Sequence, residues 1–375
     1  MHMHRWMVGM ALFGGLSCGA MAQGTGEVQL YGIIDLGVAH YTGLRPGGTP
    51  APGQTVSSTG LSSGVQSPSR IGIRGREALG DGTSAMFDVE TGFCAAGLNQ
   101  SASDPNYCTG GGFMPSLSLV GLQGRYGRVI AGRAYTSLFM GEIHADPFEA
   151  GFTADSGNIS LVPQYGLFRF SQMVGYTTPS IDGLRGHLNY SFAPASGGTV
   201  PVSGGHVERG YEAGAVYAHG ALSGGVDYLR MSNRYADPSS GVVDGALELW
   251  QVRAGYNFGV ARVTALYEVA RQDHSSGKDQ YDLLGVTVPM GGGDMMASVG
   301  RTWSDLEAGS WNGSALQLGI GYSYALSKTF DVYASYAHID NSGGAHFAVA
   351  SATDAFSGVA GQASSGVAIG VRKSF

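Results

Sequence analysis

The sequence predicts an all-β fold, a 16-stranded antiparallel transmembrane β-barrel, on three observations. Charged residues make up 13% of the 375-residue chain and glycine contributes 63 residues, a charge content about half the soluble average. No stretch beyond residue 22 is long and apolar enough for a membrane helix, which needs about 20 such residues. Segments of about ten residues with period two recur along the rest of the chain, separated by turn residues. Low charge without a helical span points to strands, because a barrel strand alternates apolar and polar residues and is never uniformly greasy.

The first 22 residues read as a secretory signal. Arg5 supplies the positive region, Trp6 to Leu16 the apolar core, and Ala20-Met21-Ala22 the cleavage site. A buried or membrane helix fits less well, since the run is short and its flanks suit export. Cys18 is not set in a lipoprotein signal, because Gly15 stands where leucine is wanted. The barrel domain is therefore expected over residues 23–375.

Alternation places the strands in order. In 184–192, Leu184, Gly186, Leu188, Tyr190 and Phe192 share one face, and Arg185, His187, Asn189 and Ser191 the other. In 250–258, Trp250, Val252, Ala254, Tyr256 and Phe258 oppose Gln251, Arg253, Gly255 and Asn257. The segments 261–269 and 316–324 repeat the pattern. A soluble sandwich alternates too, but here aromatics sit near segment ends, as in the girdles of a lipid-facing barrel. Sixteen strands are expected at 27–40, 68–79, 83–93, 116–124, 127–135, 169–179, 184–192, 209–218, 222–231, 247–258, 260–271, 279–288, 293–303, 313–325, 328–340 and 365–375. The pattern is weakest around Pro289-Met290-Gly291-Gly292-Gly293. An even count keeps both termini on the periplasmic side, and sixteen strands enclose an open aqueous channel where eight would be filled.

The connections alternate in length. Short ones include Leu79-Gly80-Asp81-Gly82, Gln123-Gly124-Arg125-Tyr126, Ile181-Asp182-Gly183 and Leu326-Ser327-Lys328. Long ones cover 41–67, 94–115, 136–168, 193–208, 232–246 and 341–364. Tight periplasmic turns and long outer loops are the outer-membrane rhythm. The terminal segment completes it: Val367, Ile369, Val371, Lys373 and Phe375 share a face. A soluble terminus usually frays, whereas a barrel's last strand must pair with the first or leave an open edge in lipid.

The signal carries one charge, Arg5, so the remaining chain holds 20 Lys and Arg against 28 Asp and Glu, a net charge of −8. That balance argues against a nucleic-acid partner. Export places Cys94 and Cys108 in an oxidising space, where a disulfide closing a loop is the expected state. A metal pair is the sharper alternative, but no nearby histidine completes a site.

The sequence resembles the Gram-negative porins common in β-proteobacteria. The resemblance rests on Val28-Gln29-Leu30-Tyr31-Gly32-Ile33-Ile34-Asp35, Ser69-Arg70-Ile71-Gly72-Ile73-Arg74-Gly75 and Glu77-Ala78-Leu79-Gly80-Asp81-Gly82. It continues through Phe87-Asp88-Val89-Glu90-Thr91-Gly92-Phe93, Gly132-Arg133-Ala134-Tyr135-Thr136, Asp146-Pro147-Phe148 and Tyr176-Thr177-Thr178-Pro179. It ends with Tyr322-Ser323-Tyr324-Ala325-Leu326-Ser327-Lys328 and Val371-Arg372-Lys373-Ser374-Phe375. These blocks span the mature chain in family order. The resemblance implies a homotrimeric general-diffusion porin in the outer membrane, set among its lipid and lipopolysaccharide. It implies an inward-folded third loop that narrows the barrel, and a terminal Phe375 read by the outer-membrane assembly machinery. One departure matters: Gly175 stands where the family usually has a lysine, which makes a family-typical anion preference less secure.

The third-loop position falls to residues 136–168, which carry Glu142, Asp146, Glu149 and Asp155 and no Lys or Arg. Arg70, Arg74 and Arg76 alternate with Ile71, Ile73 and Gly75, so they face the lumen if the isoleucines face lipid. Arg133 precedes the loop and Arg169 follows it. An acidic loop opposite a wall of Arg70, Arg74, Arg133 and Arg169 would set a transverse field across a constriction and sort solutes by charge. The blander reading is ordinary lumen arginines paired with nearby acids. Arg133 poses a difficulty, because strict alternation puts it on the face of Val129 and Ala131. Either a bulge intervenes or it lies past the regular strand.

Enzyme readings fare poorly. None of the eight histidines beyond the signal forms an H-E-x-x-H helix or a close metal pair, so neither metal nor cofactor is expected. His187, a lone polar residue on a lumen face, reads as structural. Gly110-Gly111-Gly112 and Gly291-Gly292-Gly293 lack the strand-then-helix context of a phosphate loop. The leading reading is passive diffusion of ions and small hydrophilic solutes. A binding barrel with a blocked lumen and an outer-membrane hydrolase are the competitors. An open lumen beside an inward third loop favours the first, and a filled lumen the second.

Overall fold

The computed structural model describes residues 26–47, 51–96, 116–192, 209–232, 245–273, 275–306, 311–350 and 356–375. The expected signal over 1–22, with Cys18, lies outside them, as do Cys108 and parts of several outer loops.

Among the described residues, seventeen strands form one antiparallel sheet. They are β1 (Glu27–Leu44), β2 (Val56–Ser63), β3 (Arg70–Gly80), β4 (Thr83–Gly92), β5 (Leu117–Gly124) and β6 (Gly127–Tyr135). After the long third loop come β7 (Arg169–Thr177), β8 (Leu184–Ser191), β9 (Arg209–His219), β10 (Leu222–Ser232), β11 (Ala246–Asn257) and β12 (Arg262–Gln272). The last are β13 (Asp279–Met290), β14 (Gly293–Ser304), β15 (Gly313–Ser327), β16 (Phe330–Gly343) and β17 (Ser364–Ser374). β2 and β3 form a single interrupted stave, since both pair with β1, from Leu36↔Ser63 upward and from Glu27↔Arg76 to Ile33↔Arg70. The barrel is therefore closed by sixteen staves, as expected.

Strand β2 corrects the expected 41–67 loop. Its sequence, VSSTGLSS, is rich in serine and glycine and offers only Val56 and Leu61 as apolar markers. Polar segments carry no alternation, so pairing with the upper half of β1, not local preference, makes it a strand. The weakly patterned 279–303 region forms the expected hairpin. Gly291 and Gly292 take φ of +63° and +88°, the left-handed pair that a two-residue hairpin turn requires.

Closure is made by the two ends of the chain. β17 pairs with β1 from Ile33↔Ser374 to Thr42↔Ser365. Phe375 extends the ladder: its N–H donates to the Gly32 carbonyl (3.1 Å) and its carbonyl accepts from Gly32 N–H (3.0 Å). The lower part of β1, from Glu27, pairs with β3 on its other side. No unpaired edge is left along this seam, which is the condition for a sheet in hydrocarbon.

The two faces separate as alternation requires. Val28, Leu30, Val38, Val120, Val252 and Ile369 are each more than half exposed, forming an outward apolar surface. Their strand neighbours Asp35, Gln251 and Glu268 are fully buried. An apolar exterior around a polar interior is inverted relative to a soluble protein and suits a lipid surround. The described residues contain no helix long and apolar enough to cross a membrane.

Candidate functional site

The third loop, between β6 and β7, is built around α1 (Ser137–Ala145), a 3-10 turn at Ser156–Asn158 and a short α2 (Leu161–Gln164). Thr136 starts α1 and locks the loop base. Its hydroxyl accepts from Phe139 N–H (3.1 Å) and donates to the Leu167 carbonyl (2.6 Å), while its own N–H donates to the Phe168 carbonyl (3.1 Å). An N-cap of this kind stabilises a helix by about 1 kcal/mol.

From there the loop is fastened to the inward faces of the wall. Asn189 of β8 donates to Ser137 Oγ (3.3 Å). Leu138 N–H donates to Glu212 Oε1 of β9 (2.9 Å), and Gln251 of β11 donates to the Leu138 carbonyl (2.9 Å). Leu161 N–H donates to Glu268 Oε2 of β12 (2.9 Å), and Tyr165 donates to Asp279 Oδ2 of β13 (2.5 Å). Gln317 of β15 donates to the Asp155 carbonyl (2.9 Å), and Thr153 contacts Ser335 Oγ of β16 (2.8 Å). Wall glycines make room: a Cβ on Gly285 would lie 2.5 Å from Pro147, and one on Gly319 2.6 Å from Ala154. Leu138, Phe148, Ile159 and Leu161 are wholly buried, each worth about 1.5–3 kcal/mol in apolar burial. Glu149, Ala150 and Phe152 hold φ near +54° to +62°, a strained conformation that persists only where packing over-determines it.

These contacts run from β8 round to β16. On the inward faces of β3 and β6, Arg74, Arg76 and Arg128 are exposed. Arg74 donates twice to Gln29 Oε1 (3.0 and 2.8 Å) and stacks 5.0 Å above the Tyr31 ring. Among the described residues no carboxylate pairs with it. Arg76 donates to Ser84 Oγ (3.0 Å). Arg70 is bound to Glu90 (3.3 Å) and to Ser67 Oγ and the Pro68 carbonyl, so its charge is largely answered locally.

The conflict at Arg133 is resolved by a bulge. The β6–β7 register shifts between Gly132 and Ala134, Gly132 has φ +132° and Gln172 φ +47°. Arg133 donates to Ser171 Oγ across the break. Arg169 donates to the Tyr135 hydroxyl (2.8 Å) and stacks 4.3 Å from its ring. Arg169 also lies within electrostatic reach of Glu90, the carboxylate that Arg70 binds. Gly175, which stands in place of the lysine expected from the resemblance, sits beside Asn189 Oδ1 on the inward side of β7, between the exposed Val174 and Tyr176.

The four loop acids do not act alike, which differs from the uniform acidic rim expected from sequence. Glu142 and Asp146 are wholly buried and serve as pins. Glu142 accepts from Ser156 Oγ (2.7 Å) and from Ser160 Oγ. Asp146 accepts from the N–H groups of Phe148 (3.0 Å), Ala150 (3.2 Å) and Ser156 (3.0 Å). Burial pushes the Asp146 carboxyl up to about 6 and, with the nearby Asp146 charge, the Asp155 carboxyl up to about 7. Glu142 is raised well above the ordinary range, by burial first and then by Glu268. Asp155 is partly accessible and caps the 3-10 turn through Gly157 N–H (2.6 Å). Glu149 alone of the four is exposed.

Four arginines escaped the sequence-based choice of site. Arg128, Arg185, Arg253 and Arg262 line a cavity of about 390 Å³ with His144 and His187. Arg185 and Arg253 stood on polar faces that alternation had identified, so the signal was there. What was lacking was their convergence across β6, β8, β11 and β12. His187 is not a lone residue either: its Nε2 lies 2.7 Å from Asp227 Oδ1, and Arg253 pairs with the same carboxylate. Cys94 is disulfide-bonded; its expected partner, Cys108, lies outside the described residues.

Comparison with known proteins agrees with this architecture. A family model described as Gram-negative porin matches residues 9–344. An outer membrane porin protein of Bordetella pertussis is 28% identical over 382 residues, covering 89% of this chain and 94% of that protein. Outer membrane porin protein 32 of Delftia acidovorans is 27% identical, covering 95% of each. Among solved structures, the anion-selective porin from Comamonas acidovorans superposes with a TM-score of 0.74 at 24% identity, covering 93% of this chain and all of that one.

Proposed function

The chain belongs to the Gram-negative porin family and is an outer-membrane porin, a passive diffusion channel, and from that premise we propose that solutes cross beside β3 to β6, opposite the third loop. The observation that carries this reading is the one-sided fastening of the loop. It is bonded from β8 to β16, while Arg74 and Arg76 on β3 remain exposed on the inward face. A lumen left accessible on one side speaks against a plugged binding barrel. Ions and small hydrophilic solutes pass without turnover, so no catalytic residue or cofactor belongs to this reading.

The constriction we propose differs from a simple facing of four acids and four arginines. Arg74 supplies the unpaired positive charge, with Arg76 below it. Arg70 and Arg169 share the charge of Glu90, and Arg133 is tied across the bulge to Ser171. Glu149 and the accessible edge of Asp155 supply the negative side, while Glu142 and Asp146 hold the loop in place. Unpaired guanidinium charge with two of the four loop carboxylates buried favours anions, and the similar porin from Comamonas acidovorans is anion-selective. Liposomes reconstituted with the protein are expected to swell in neutral sugars and in permeant salts, with swelling falling steeply as sugar size grows. Liposomes that stay osmotically tight would contradict an open lumen.

The assembly we propose is a homotrimer, built through the outward face from β17 through β5. That face is mainly aliphatic, with Val28, Leu30, Ile71, Ile73, Val120 and Ile369 exposed beside Phe87, whereas β7 to β12 carry Tyr176, Tyr190, Tyr211, Trp250 and Tyr256. Aromatic girdles mark lipid contact, so the aliphatic side suits a protein neighbour. The remaining outer surface faces lipid and lipopolysaccharide. Phe375, half exposed at the barrel seam, suits a signal read by the assembly machinery, and residues 1–22 suit a signal removed on export. We also assign Cys108 as the partner of Cys94. Titration of the denatured, unreduced mature protein is then expected to find no free thiol, and two after reduction; two free thiols beforehand would refute the bridge.

A further inference from the structure

We propose that the arginine-lined cavity beneath α1 is a binding site for small phosphate monoesters in transit through the channel. The proposal rests on the open-channel reading above and adds a retained ligand to it. Three features carry it.

The first is charge. Arg128, Arg185, Arg253 and Arg262 line the cavity with His144 and His187, and no aspartate or glutamate belongs to the lining. Arg253 is answered by Asp227 from behind. Arg128 and Arg185 have no carboxylate partner among the described residues. Arg262 donates only to the His144 carbonyl at the end of α1 (2.7 Å), a bond that aims the guanidinium without cancelling its charge. Three uncompensated guanidiniums in one concavity attract a dianion about twice as strongly as chloride.

The second is geometry. Arg128 on β6 and Arg185 on β8 flank β7, where Thr177 is in register with both Arg128 and His187. A ligand meeting both guanidiniums must present oxygens in two directions. A tetrahedral phosphate does so, and each guanidinium fork matches a pair of its oxygens, while Arg262 on β12 adds positive charge further round the lining. Serine and threonine hydroxyls at Ser137, Thr177, Ser223 and Thr264 supply neutral partners. Met140, Ile130 and Met173 give the ester's organic part an apolar wall.

The third is place and size. Arg128, Arg185 and Arg262 each stand a few residues from the short turns at 124–127, 178–183 and 258–261. The cavity therefore occupies the end of the lumen away from the long loops. A volume of about 390 Å³ is within the range for small-molecule sites, and α1 forms its roof, so a solute that has passed the loop meets it next.

The test is channel block in a planar bilayer. Glycerol 3-phosphate added to the wild-type channel in potassium chloride is expected to reduce chloride current along a saturating curve, whereas uncharged glycerol does not. In the double variant Arg128→Gln/Arg185→Gln the half-blocking concentration is expected to rise about tenfold or more, the loss expected for removing two charge-assisted contacts. Lys328→Gln, in the exposed turn between β15 and β16 and outside the cavity, is expected to leave it within about twofold of wild type, since distant sites act independently. Linear, unsaturable current in the wild type would overturn the proposal. So would equal block in wild type and double variant, or a larger shift from Lys328→Gln than from the double variant. All three results leave a conducting channel, so they are distinct from failure of the porin reading, which would show as no current at all.

Discussion

Arg74→Glu is expected to move the reversal potential in a salt gradient toward the cation side, the largest change in selectivity of any single wall substitution. The reasons are local. Arg74 is exposed on an inward face, its bonds go to the neutral Gln29 and the Tyr31 ring, and no carboxylate among the described residues forms an ion pair with it. The cross-strand neighbour in register is Asp88, so a glutamate would add to a negative charge already there. Replacing a positive by a negative charge a few ångströms from a passing ion changes that ion's energy by about 1 kcal/mol in a water-filled lumen, after salt screening. Cation and anion shift in opposite senses, so their permeability ratio changes several-fold. Arg74→Gln should give about half the shift. Arg70→Gln, whose native charge is met by Glu90, should give less than either. An unchanged reversal potential in Arg74→Glu would remove Arg74 from the permeation path.

The docked third loop is expected to loosen as pH rises from about 4 to 7, and Asp146→Asn to abolish the lower part of that response. Asp146 is wholly buried and its carboxyl is raised to about 6 from an ordinary 3.8, with burial as the main cause. Between those values the folded loop holds a proton that the undocked loop releases. Stability therefore falls with rising pH through this window, and is greatest below the ordinary carboxylate range. For Asp146 the integrated change is about 3 kcal/mol. Asp155, raised to about 7, carries the trend toward neutrality. The three N–H groups bound to Asp146 oppose the effect but do not cancel it. Amide exchange over residues 146–157 in the intact protein, with intrinsic rates divided out, reads the change directly. Protection that stays flat or rises with pH in the wild type would contradict the burial of Asp146.

The barrel itself was legible because membrane strands write their faces in period two. Trp250, Val252 and Tyr256 on one side and Gln251 and Arg253 on the other name both solvent and lumen before any fold is known. The parity conflict at Arg133 even located the bulge. Strand β2 was not legible, because Ser57, Ser58, Ser62 and Ser63 leave no alternation and the strand exists through pairing with β1. The chemistry was legible only in part. Glu142, Asp146, Glu149 and Asp155 look equivalent in sequence, yet non-local packing against β12, β15 and β16 buries two of them and exposes one. Likewise Arg128, Arg185 and Arg262 lie far apart in sequence, and only barrel curvature and the path of α1 bring them to one cavity.

Conductance of the purified, folded protein in a planar bilayer bears most directly on the central claim that this barrel is an open porin. The expected result is a steady ohmic current that grows in steps of three equal sublevels, one per barrel of a trimer. A barrel shown to be folded and inserted that passes no current would contradict it.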